Sequence, residues 1–388
     1  MGGSMSNQVN FEGIKVEAVT RRRHRADFLN LPVLIHRDDP NWIAPLRMIE
    51  AERLNPKKHP FFEHGEGAFW VAYKKGRPVG RISAQIDHLH LERYNDAMGH
   101  FGMIEAIDDP AVFSALLATA EAWLRERGIK RVTGPFSLSI NEESGLLVEG
   151  FEFPPAIMTD HARPYYGASI EQAGYRKTKD LYAFDFEFAA YGPERFFKLA
   201  RRIQRYPSIS LRMPDTRKLI EEFHTAIDIF NDAWSENWNF VPFTRHETDA
   251  LIKSVKPFTK PYYMWFAEDA GRPIGVMTAM PDLNQAARGL NGRLLPFGWI
   301  PFLWRAKVAP VRRARVTLLG VRKAYQATPL AAIVAAALIE RICQAGLEIG
   351  MERAEISWVA EDNRHLLGLL DYLGLKKYKT FRVYEHEL

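Results

Sequence analysis

Two sets of carboxylates lie at the ends of predicted strands, where a side chain can be held for acid–base chemistry. Glu361 and Asp362 follow the strand predicted over Ala354–Val359, and Asp282 and Asn284 follow another predicted strand. A positioned carboxylate can accept a proton from a reacting group. We expect Glu361 to be the first candidate for a general base and Asp282 the second, with Asn284 beside it. The alternative is structural, because Asp362 can cap the next helix and Asp282 can cap a turn.

An apolar, aromatic segment, Leu294–Trp304, lies between Asp282 and Arg315. Prolines and a glycine interrupt any regular helix in it, and basic residues flank it. Aromatic rings and basic groups are enriched in the headgroup zone of anionic bilayers. We therefore expect Trp299 and Trp304 to contact a lipid substrate or membrane. Packing against the segment's own domain or a dimer partner is the alternative. The flanking basic residues are Arg293, Arg305, Lys307, Arg312 and Arg313.

Composition indicates an ordinary globular protein. The 388 residues are 47% hydrophobic and 26% charged, with 52 Lys+Arg against 47 Asp+Glu, a net charge of +5. This mixture excludes a disordered or collagen-like chain. The single cysteine, Cys343, excludes an internal disulfide and fits a reducing cytoplasm. His88 and His90 lack a third ligand at standard spacing, so no metal site is expected. The most apolar run, Pro329–Ile342, contains Glu340 and Arg341, so no membrane span or signal peptide is expected.

The predicted elements occur twice in the same order, as a β-hairpin, a strand, a helix, a strand, a helix and a strand. The hairpins over Phe69–Ile86 and Tyr262–Met280 share a Gly-Arg-Pro turn followed by Val or Ile and then Gly. We interpret this as an internal duplication of about 190 residues. The predicted fold class is α/β, with an α+β mixed sheet: two tandem domains, residues 5–190 and 191–388, each a mostly antiparallel mixed sheet flanked by helices.

The second half resembles the GNAT acyltransferase superfamily. The strand ending at Leu318–Val321, the loop Gln326–Ala331 and the helix Ala332–Cys343 match the family's strand, Q/R-x-x-G-x-G/A loop and helix. In that family the loop amides and the helix N-terminus hold the pyrophosphate of coenzyme A. The resemblance therefore implies acyl-CoA as co-substrate. Pro329 replaces the first Gly and removes one amide donor, although proline suits a first helical turn. The residues expected to bind the co-substrate are Leu319, Val321, Gln326, Ala327, Thr328, Pro329, Leu330, Ala331 and Asn363.

A second GNAT signature lies downstream, at Asn363 and Tyr372–Leu375. In the family, this Asn touches the pantetheine or phosphate arm, and a tyrosine four residues before the Gly acts as general acid. Leu370 stands at that tyrosine position, so the acid is left unassigned. The resemblance also implies that backbone N–H groups of Leu318–Val321 hold the oxyanion of the reaction.

The first half has the predicted topology without the loop. Ile107–Pro110 stands at the corresponding place, and its two carboxylates would repel phosphate, so we expect this half not to bind coenzyme A. In a two-GNAT arrangement, Asn141, Glu143 and Tyr166 are expected to face the cleft between the domains and line the substrate site. Trp238 is expected to shape the acceptor pocket, with aromatic packing as an equal alternative.

The whole chain is similar to a narrower bacterial group of tandem GNAT-like proteins. The similarity rests on Gly134–Leu147, Pro164–Tyr166, Pro281–Asn284 and Ser357–Arg364. Some members are taken to be bacterial ceramide synthases. The resemblance implies a cytoplasmic N-acyltransferase, peripheral on the inner face of an anionic membrane, that moves a fatty acyl group from acyl-CoA to a long-chain sphingoid amine. A net charge of +5 is only weak support for nucleic-acid binding, so no nucleic-acid partner is expected. One alternative is another acyltransferase of the same fold, either aminoacyl-tRNA-dependent or a small-amine acetyltransferase. The other is a non-catalytic protein that binds acyl-CoA or a membrane.

Overall fold

The computed structural model describes residues 10–11, 13–190, 194–309 and 311–388. The chain forms two compact units. Unit 1 contains the described residues up to Asp180, with Gly289–Arg293 and Phe381–Leu388; unit 2 contains Leu181–Arg288 and Leu294–Thr380, as far as these residues are described. The chain therefore passes from one unit to the other after Asp180 and again after Thr380, each time within a strand. The repeat in the sequence suggests a boundary between residues 190 and 191 instead.

Unit 1 is built on a mixed sheet flanked by helices. Its strands in chain order are β1 Asn10–Phe11, β2 Ile14–Ala18, β3 Gly65–Lys74, β4 Arg77–Asp87, β5 Met98–Ala106, β6 Arg131–Gly134, β7 Leu146–Glu149, the start of β8 Arg176–Glu187 and the end of β14 Lys376–Glu387. Its helices are α1 Arg22–Ile35, α2 Arg47–Arg53, α3 His88–Tyr94, α4 Pro110–Arg125 and α5 Tyr166–Gln172. The strand order is β1-β2-β3-β4-β5-β6-β14, in which β5 and β6 are parallel and the other assigned pairs are antiparallel.

Helix α4 begins where the sequence carries two carboxylates. The Asp109 side chain accepts a hydrogen bond from the Ala111 N–H, 3.1 Å away, and Pro110 is the first helical residue. Asp109 also pairs with Lys74 at 2.7 Å. A carboxylate thus occupies the N-terminus of this helix, where an anion would otherwise be favoured. The helix lies so close to β4 that a Cβ on Gly80 would approach a methyl carbon of Leu116 to 2.7 Å.

Unit 2 is built on a second mixed sheet flanked by helices. Its strands are the end of β8, β9 Ile209–Arg212, β10 Met264–Asp269, β11 Arg272–Pro281, β12 Arg313–Val321, β13 Arg353–Ala360 and the start of β14. Its helices are α6 Glu194–Arg201, α7 Leu219–Ala233, α8 Arg245–Val255, α9 Asn284–Ala287, α10 Trp299–Lys307, α11 Lys323–Gln326, α12 Pro329–Glu348 and α13 Arg364–Tyr372. The strand order is β8-β13-β12-β11-β10-β9, and among these described pairs only β12–β13 is parallel. The predicted fold class, an α/β mixed sheet that is mostly antiparallel and flanked by helices, is confirmed.

Helices cover both faces of the unit 2 sheet. Helix α12 packs on one face, against a core that includes Ala314, Val316, Ala354 and Ile356. Helices α7 and α8 form a second core with Val276 of β11 on the other face. Among the described residues, α12 alone has the length and apolar composition of a membrane span, and half of its most apolar stretch is buried in the protein. It therefore has the position of a core helix.

The last strand of each sequence half divides between the units. The end of β8 pairs with β13 in unit 2, from Leu181↔Ala360 to Glu187↔Arg353. The end of β14 pairs with β6 in unit 1, from Tyr384↔Gly134 to Glu387↔Arg131. Alternating apolar residues predict that both segments are strands, but they do not specify which sheet each strand completes.

Candidate functional site

The centre of the unit 2 sheet contains a gap between two parallel strands. The pairing of β12 with β13 runs only from Arg313↔Arg353 to Val316↔Ile356, although the strands continue to Val321 and Ala360. On its other edge, β12 has a register shift against β11, which leaves Thr317 as an extra residue. Such a bulge bends the strand that carries it. We name the region between residues 317–321 of β12 and 357–360 of β13 the wedge.

The N-terminus of α12 follows β12 closely. Thr328 is the N-cap residue in extended conformation, and Pro329 is the first helical residue. The Thr328 hydroxyl donates to the Tyr325 carbonyl at 2.6 Å and does not cap the helix. Gln326, Ala327, Thr328 and Pro329 are exposed. A long helix whose first turn is not capped by its own side chain is a favourable position for phosphate.

The loop before α12 is tied to its surroundings by Gln326. Its side-chain amide donates to the Val321 carbonyl at 2.9 Å and to the Ala233 carbonyl, at the end of α7, at 2.8 Å. The indole N–H of Trp234 donates to the Leu319 carbonyl at 3.3 Å. These bonds connect the end of α7 to the wedge edge of β12. Gln326 therefore holds the loop in place. Trp238, which was predicted to shape the acceptor pocket, is half-buried and follows α7 in the chain.

The downstream signature has a mainly structural geometry. The Asn363 side-chain oxygen accepts a hydrogen bond from the Leu366 N–H at 3.1 Å and caps α13, so Asn363, and not Asp362, is the N-cap. Leu370, at the position where GNAT proteins carry the acid tyrosine, is fully buried in the core. Tyr372 is half-buried beside the same core.

The two candidate bases differ in their surroundings. Glu361 lies in the turn directly after β13 and is half-buried. Asp282 is only 2% exposed, and its carboxylate accepts a hydrogen bond from the N–H of Asn284 at 3.2 Å. The turn-capping geometry considered as an alternative for Asp282 is therefore present. Asn284 opens the short helix α9.

A buried network that the sequence did not reveal lies on β12, β13 and β14. Because Ala314, Val316, Ala354 and Ile356 pack toward α12, strand alternation turns the residues between them to the other face. There the Glu355 carboxylate accepts hydrogen bonds from Ser357 at 2.5 Å, from Tyr378 and from Lys379 at 3.3 Å. The members of this Glu355 network are Arg313, Arg315, Glu355, Ser357, Tyr378 and Lys379. The i, i+2 spacing of Arg313 with Arg315 and of Glu355 with Ser357 is its signal in the sequence.

The network keeps its carboxylate charged. Burial by itself would raise the pKa of Glu355, but Lys379 and Arg315 and the hydrogen bonds from Ser357 and Tyr378 lower it overall. Burial, with Arg313 nearby, lowers the pKa of Lys379. Burial and the Glu355 charge raise the pKa of Tyr378. Asp282 acts electrostatically on both Tyr378 and Lys379, so the network extends toward that candidate base.

The three predicted substrate residues of the first half all lie in unit 1. Tyr166 is 1% exposed, and its hydroxyl donates to Glu105 at 2.5 Å, so it belongs to the core of that unit. Glu143 pairs with Arg53 at 2.6 Å. The backbone N–H of Asn141 donates to the Ser139 hydroxyl at 3.2 Å.

The aromatic segment forms an exposed apolar surface in unit 2. Leu295 and Phe297 are 80% and 73% exposed, and Trp299 and Trp304 of α10 are also exposed. Phe302 of this segment is buried, and its ring meets that of Phe258 with centroids 6.1 Å apart; Leu294 is half-buried. Packing against its own unit therefore accounts for Phe302 and part of Leu294, and not for the exposed side chains. The side chains of the apolar surface are Leu295, Phe297, Trp299, Ile300, Leu303, Trp304 and Val308.

The side chains that could bind a metal, and the one thiol, were located in the described part of the chain. No group of three or more His, Cys, Asp or Glu side chains among the described residues has the arrangement of a metal site. Cys343 lies on the buried side of α12, and burial raises the pKa of its thiol well above the ordinary value. A thiol in this environment is a poor nucleophile.

The chain is similar over nearly its full length to two other bacterial proteins. It is 40% identical to Protein YghO of Escherichia coli (strain K12), over 99% of this chain and 98% of that protein. It is 43% identical to the bacterial ceramide synthase of Caulobacter vibrioides (strain NA1000 / CB15N), over 93% of this chain and 94% of that protein. No protein-family model matches the chain.

Solved structures with the same fold are tandem GNAT proteins and GCN5-related N-acetyltransferases. A tandem GNAT protein from the clavulanic acid biosynthesis pathway superposes with a TM-score of 0.53 at 12% identity, covering 96% of this chain and 98% of that one. A GCN5-related N-acetyltransferase from Sphaerobacter thermophilus also gives a TM-score of 0.53 at 12% identity, covering 97% of this chain and 96% of that one. At this identity the likeness concerns the fold.

Proposed function

We propose that this chain, which belongs to the same family as Protein YghO and the bacterial ceramide synthase and has the GNAT fold, transfers a fatty acyl group from acyl-CoA to the amine of a long-chain sphingoid base. The structural observation that carries the proposal is the wedge beside the N-terminus of α12. The choice of a sphingoid amine is supported by the similarity to the bacterial ceramide synthase of Caulobacter vibrioides, and the product of the proposed reaction is a ceramide-type amide.

In this proposal the first turn of α12 binds the phosphates of acyl-CoA and the wedge receives the thioester. The loop residues Gln326–Ala331 are exposed or half-exposed, and Gln326 holds the loop against Val321. Backbone N–H groups on the wedge edge of β12, around Leu319, would stabilise the oxyanion. Asn363 would contribute from the start of α13, where its side-chain oxygen already caps the helix and its amide N–H₂ group retains donors.

The reaction needs a base and a proton for the leaving group. A carboxylate, Glu361 or Asp282, takes one proton from the substrate ammonium, and the neutral amine attacks the thioester carbon. The C–N bond forms, the C–S bond breaks, and the second amine proton passes to the coenzyme A thiolate. We place Glu361 first because it is accessible in a turn, whereas Asp282 is nearly fully buried and caps a turn.

We also propose that the enzyme is cytoplasmic and works at the surface of an anionic membrane, because a long-chain amine resides in lipid. The apolar surface supports this. It contains seven of the fifteen exposed large apolar side chains among the described residues. No Asp or Glu occurs from Leu283 to Ile339, so the sequence around the surface carries only positive charges. The combination of apolar and basic groups suits a headgroup layer.

The direct test is to incubate the purified protein with sphinganine and a series of fatty acyl-CoA thioesters. We expect stoichiometric release of free thiol and formation of an N-acyl product, measured by thiol titration and mass spectrometry. Glu361→Gln and Asp282→Asn identify the base, because the variant that removes it should lower kcat by about 10²-fold or more. A folded wild-type protein that releases no thiol at any chain length would refute the proposal. Preferential turnover of acetyl-CoA with a small amine would support the alternative acetyltransferase.

A further inference from the structure

Two residues of β13 lie outside the strand pairing at the narrow end of the wedge. Pairing with β12 ends at Ile356, and pairing with β8 passes from Ile356↔Phe184 to Val359↔Tyr182. Ser357 and Trp358 are thus a bulge that belongs to neither ladder in the described pairing. The backbone of a buried strand needs hydrogen-bond partners, so another group has to fix this bulge.

Arg315 of β12 supplies those contacts across the gap. Its Nε donates to the Ser357 hydroxyl at 2.9 Å, and its Nη2 donates to the Ser357 carbonyl at 3.3 Å. The guanidinium carbon lies 4.4 Å from the centroid of the Trp358 ring. Arg315 is only 4% exposed. One side chain therefore binds both bulged residues, at the point where the two strands cease to pair.

Glu355 compensates the buried charge and orients the contact. The Glu355 carboxylate is 0% exposed and lies 4.0 Å from the Arg315 Nε. The Ser357 hydroxyl accepts from Arg315 and donates to Glu355 at 2.5 Å, so its hydrogen has one defined direction. A buried guanidinium without such a partner would be strongly destabilising. The three groups form a chain from Arg315 through Ser357 to Glu355.

We propose that Arg315 is a positioning residue that holds the two strands of the wedge apart at the distance the acyl thioester requires. This inference rests on the proposed function, because the wedge is taken to receive the thioester. The planar fork of arginine matches the hydroxyl and carbonyl of Ser357 while stacking on Trp358, and a lysine ammonium cannot do both. Misplacement of the reacting carbon by about 1 Å is enough to cost about 10²-fold in rate.

The test compares Arg315→Lys with Ser357→Ala and Ser357→Thr. We expect R315K and S357A to lower kcat by about tenfold or more, while the Kd for coenzyme A, measured by calorimetry, changes less than about twofold because the α12 N-terminus is untouched. S357T retains the hydroxyl and should recover most of the lost kcat. Arg212→Lys is the matched control. Arg212 also stacks on a ring, Phe266, and pairs with carboxylates in unit 2, but it lies on β9, and R212K should keep wild-type kcat.

A structural readout separates this inference from the proposed function. Amide hydrogen exchange at residues 357–360 should become faster in R315K and S357A than in the wild type, whether or not the protein transfers acyl groups. Unchanged exchange in the folded variants would overturn the positioning role. A kcat for R315K within about twofold of the wild type would also overturn it. If the wild-type protein transfers no acyl group but the variants still exchange faster, the proposed function is refuted and the structural role of Arg315 remains.

Discussion

The hydroxyl groups of Thr278 and Thr317 lie 2.7 Å apart, on β11 and β12, at the bulge where β12 ceases to pair with β13. One hydroxyl donates to the other, and the accepting hydroxyl still has its own hydrogen to donate. Leu370 replaces the acid tyrosine of GNAT proteins and is buried in the core. The threonine pair therefore has one hydroxyl hydrogen left to donate, close to the residue at which the wedge begins.

Replacement of Thr317 by valine should lower kcat about tenfold, because in the proposed mechanism the free hydroxyl hydrogen of the threonine pair stabilises charge that develops in the wedge. The KM for acyl-CoA should change little, since the phosphate site at α12 is unaffected. Steady-state kinetics of T317V and Thr317→Ser check this, and T317S should retain activity because it keeps the hydroxyl. Equal kcat values for T317V and the wild type would show that the pair is only a structural contact.

Loss of the Gln326 side chain should weaken coenzyme A binding. The amide of Gln326 makes two hydrogen bonds that hold the loop, to Val321 and Ala233. Each such bond contributes about 1 kcal/mol, so Gln326→Ala should raise the Kd for coenzyme A about tenfold through a loosened loop. Calorimetric titration of coenzyme A measures this. The matched control is Gln344→Ala, near the other end of α12, and an equal effect of both variants would contradict a local role for Gln326.

The apolar surface should be needed for membrane binding and not for folding. The double variant Phe297→Ser/Trp304→Ser removes two exposed rings, which should reduce sedimentation with phosphatidylglycerol-containing vesicles by at least about tenfold. Pure phosphatidylcholine vesicles should bind the wild type more weakly, because they lack the anionic partner of the basic residues. Activity on water-soluble short-chain substrates should remain.

Met213→Ser/Ile220→Ser is the control for this surface, because both residues are exposed and apolar in unit 2 but lie elsewhere in the sequence. It should bind vesicles like the wild type. Sedimentation velocity without lipid tests the dimer alternative. If F297S/W304S converted a dimer to a monomer and left vesicle binding unchanged, the surface would be a contact between copies and not a membrane site.

The last strand of the chain should stabilise unit 1, although it ends the second sequence half. Phe381 is fully buried, and its Cβ would lie 3.0 Å from a Cβ built on Gly145 of unit 1. Phe381→Ala should cost about 3–5 kcal/mol and increase amide exchange in β6. Phe266→Ala, in the core of α7, α8 and β10, is the counterpart for unit 2 and should affect β10 and β11 instead. Normal protection of β6 in F381A would contradict the observed pairing of β14.

The sequence by itself determined the repeated order of hairpin, strand, helix, strand, helix and strand, the mixed α/β class, and the strand, loop and helix that form β12, Gln326–Ala331 and α12. Helices that precede the hairpins, such as α1 and α7, were not predicted. These follow from apolar periodicity, glycine turns and proline at a helix start, which act between neighbouring residues. The resemblance to GNAT proteins rested on the same local motifs. Composition also identified Leu294–Trp304 as unusual. The expectation that its prolines interrupt any regular helix was wrong, because Trp299–Lys307 forms α10 with Pro301 in the first turn, where a missing backbone N–H costs no intrahelical bond.

Only the tertiary structure decided which residues meet. It assigned the ends of β8 and β14 to sheets that the chain order does not imply, and it brought Glu355 together with Tyr378 and with Arg315. The physical reason is that alternation specifies the face on which a side chain lies but not the strand beside it. Contacts between residues far apart in the chain, such as Arg315 with Ser357, are fixed by the packing of the whole sheet. The local i, i+2 spacing places such residues on one face of a strand but does not specify their partner.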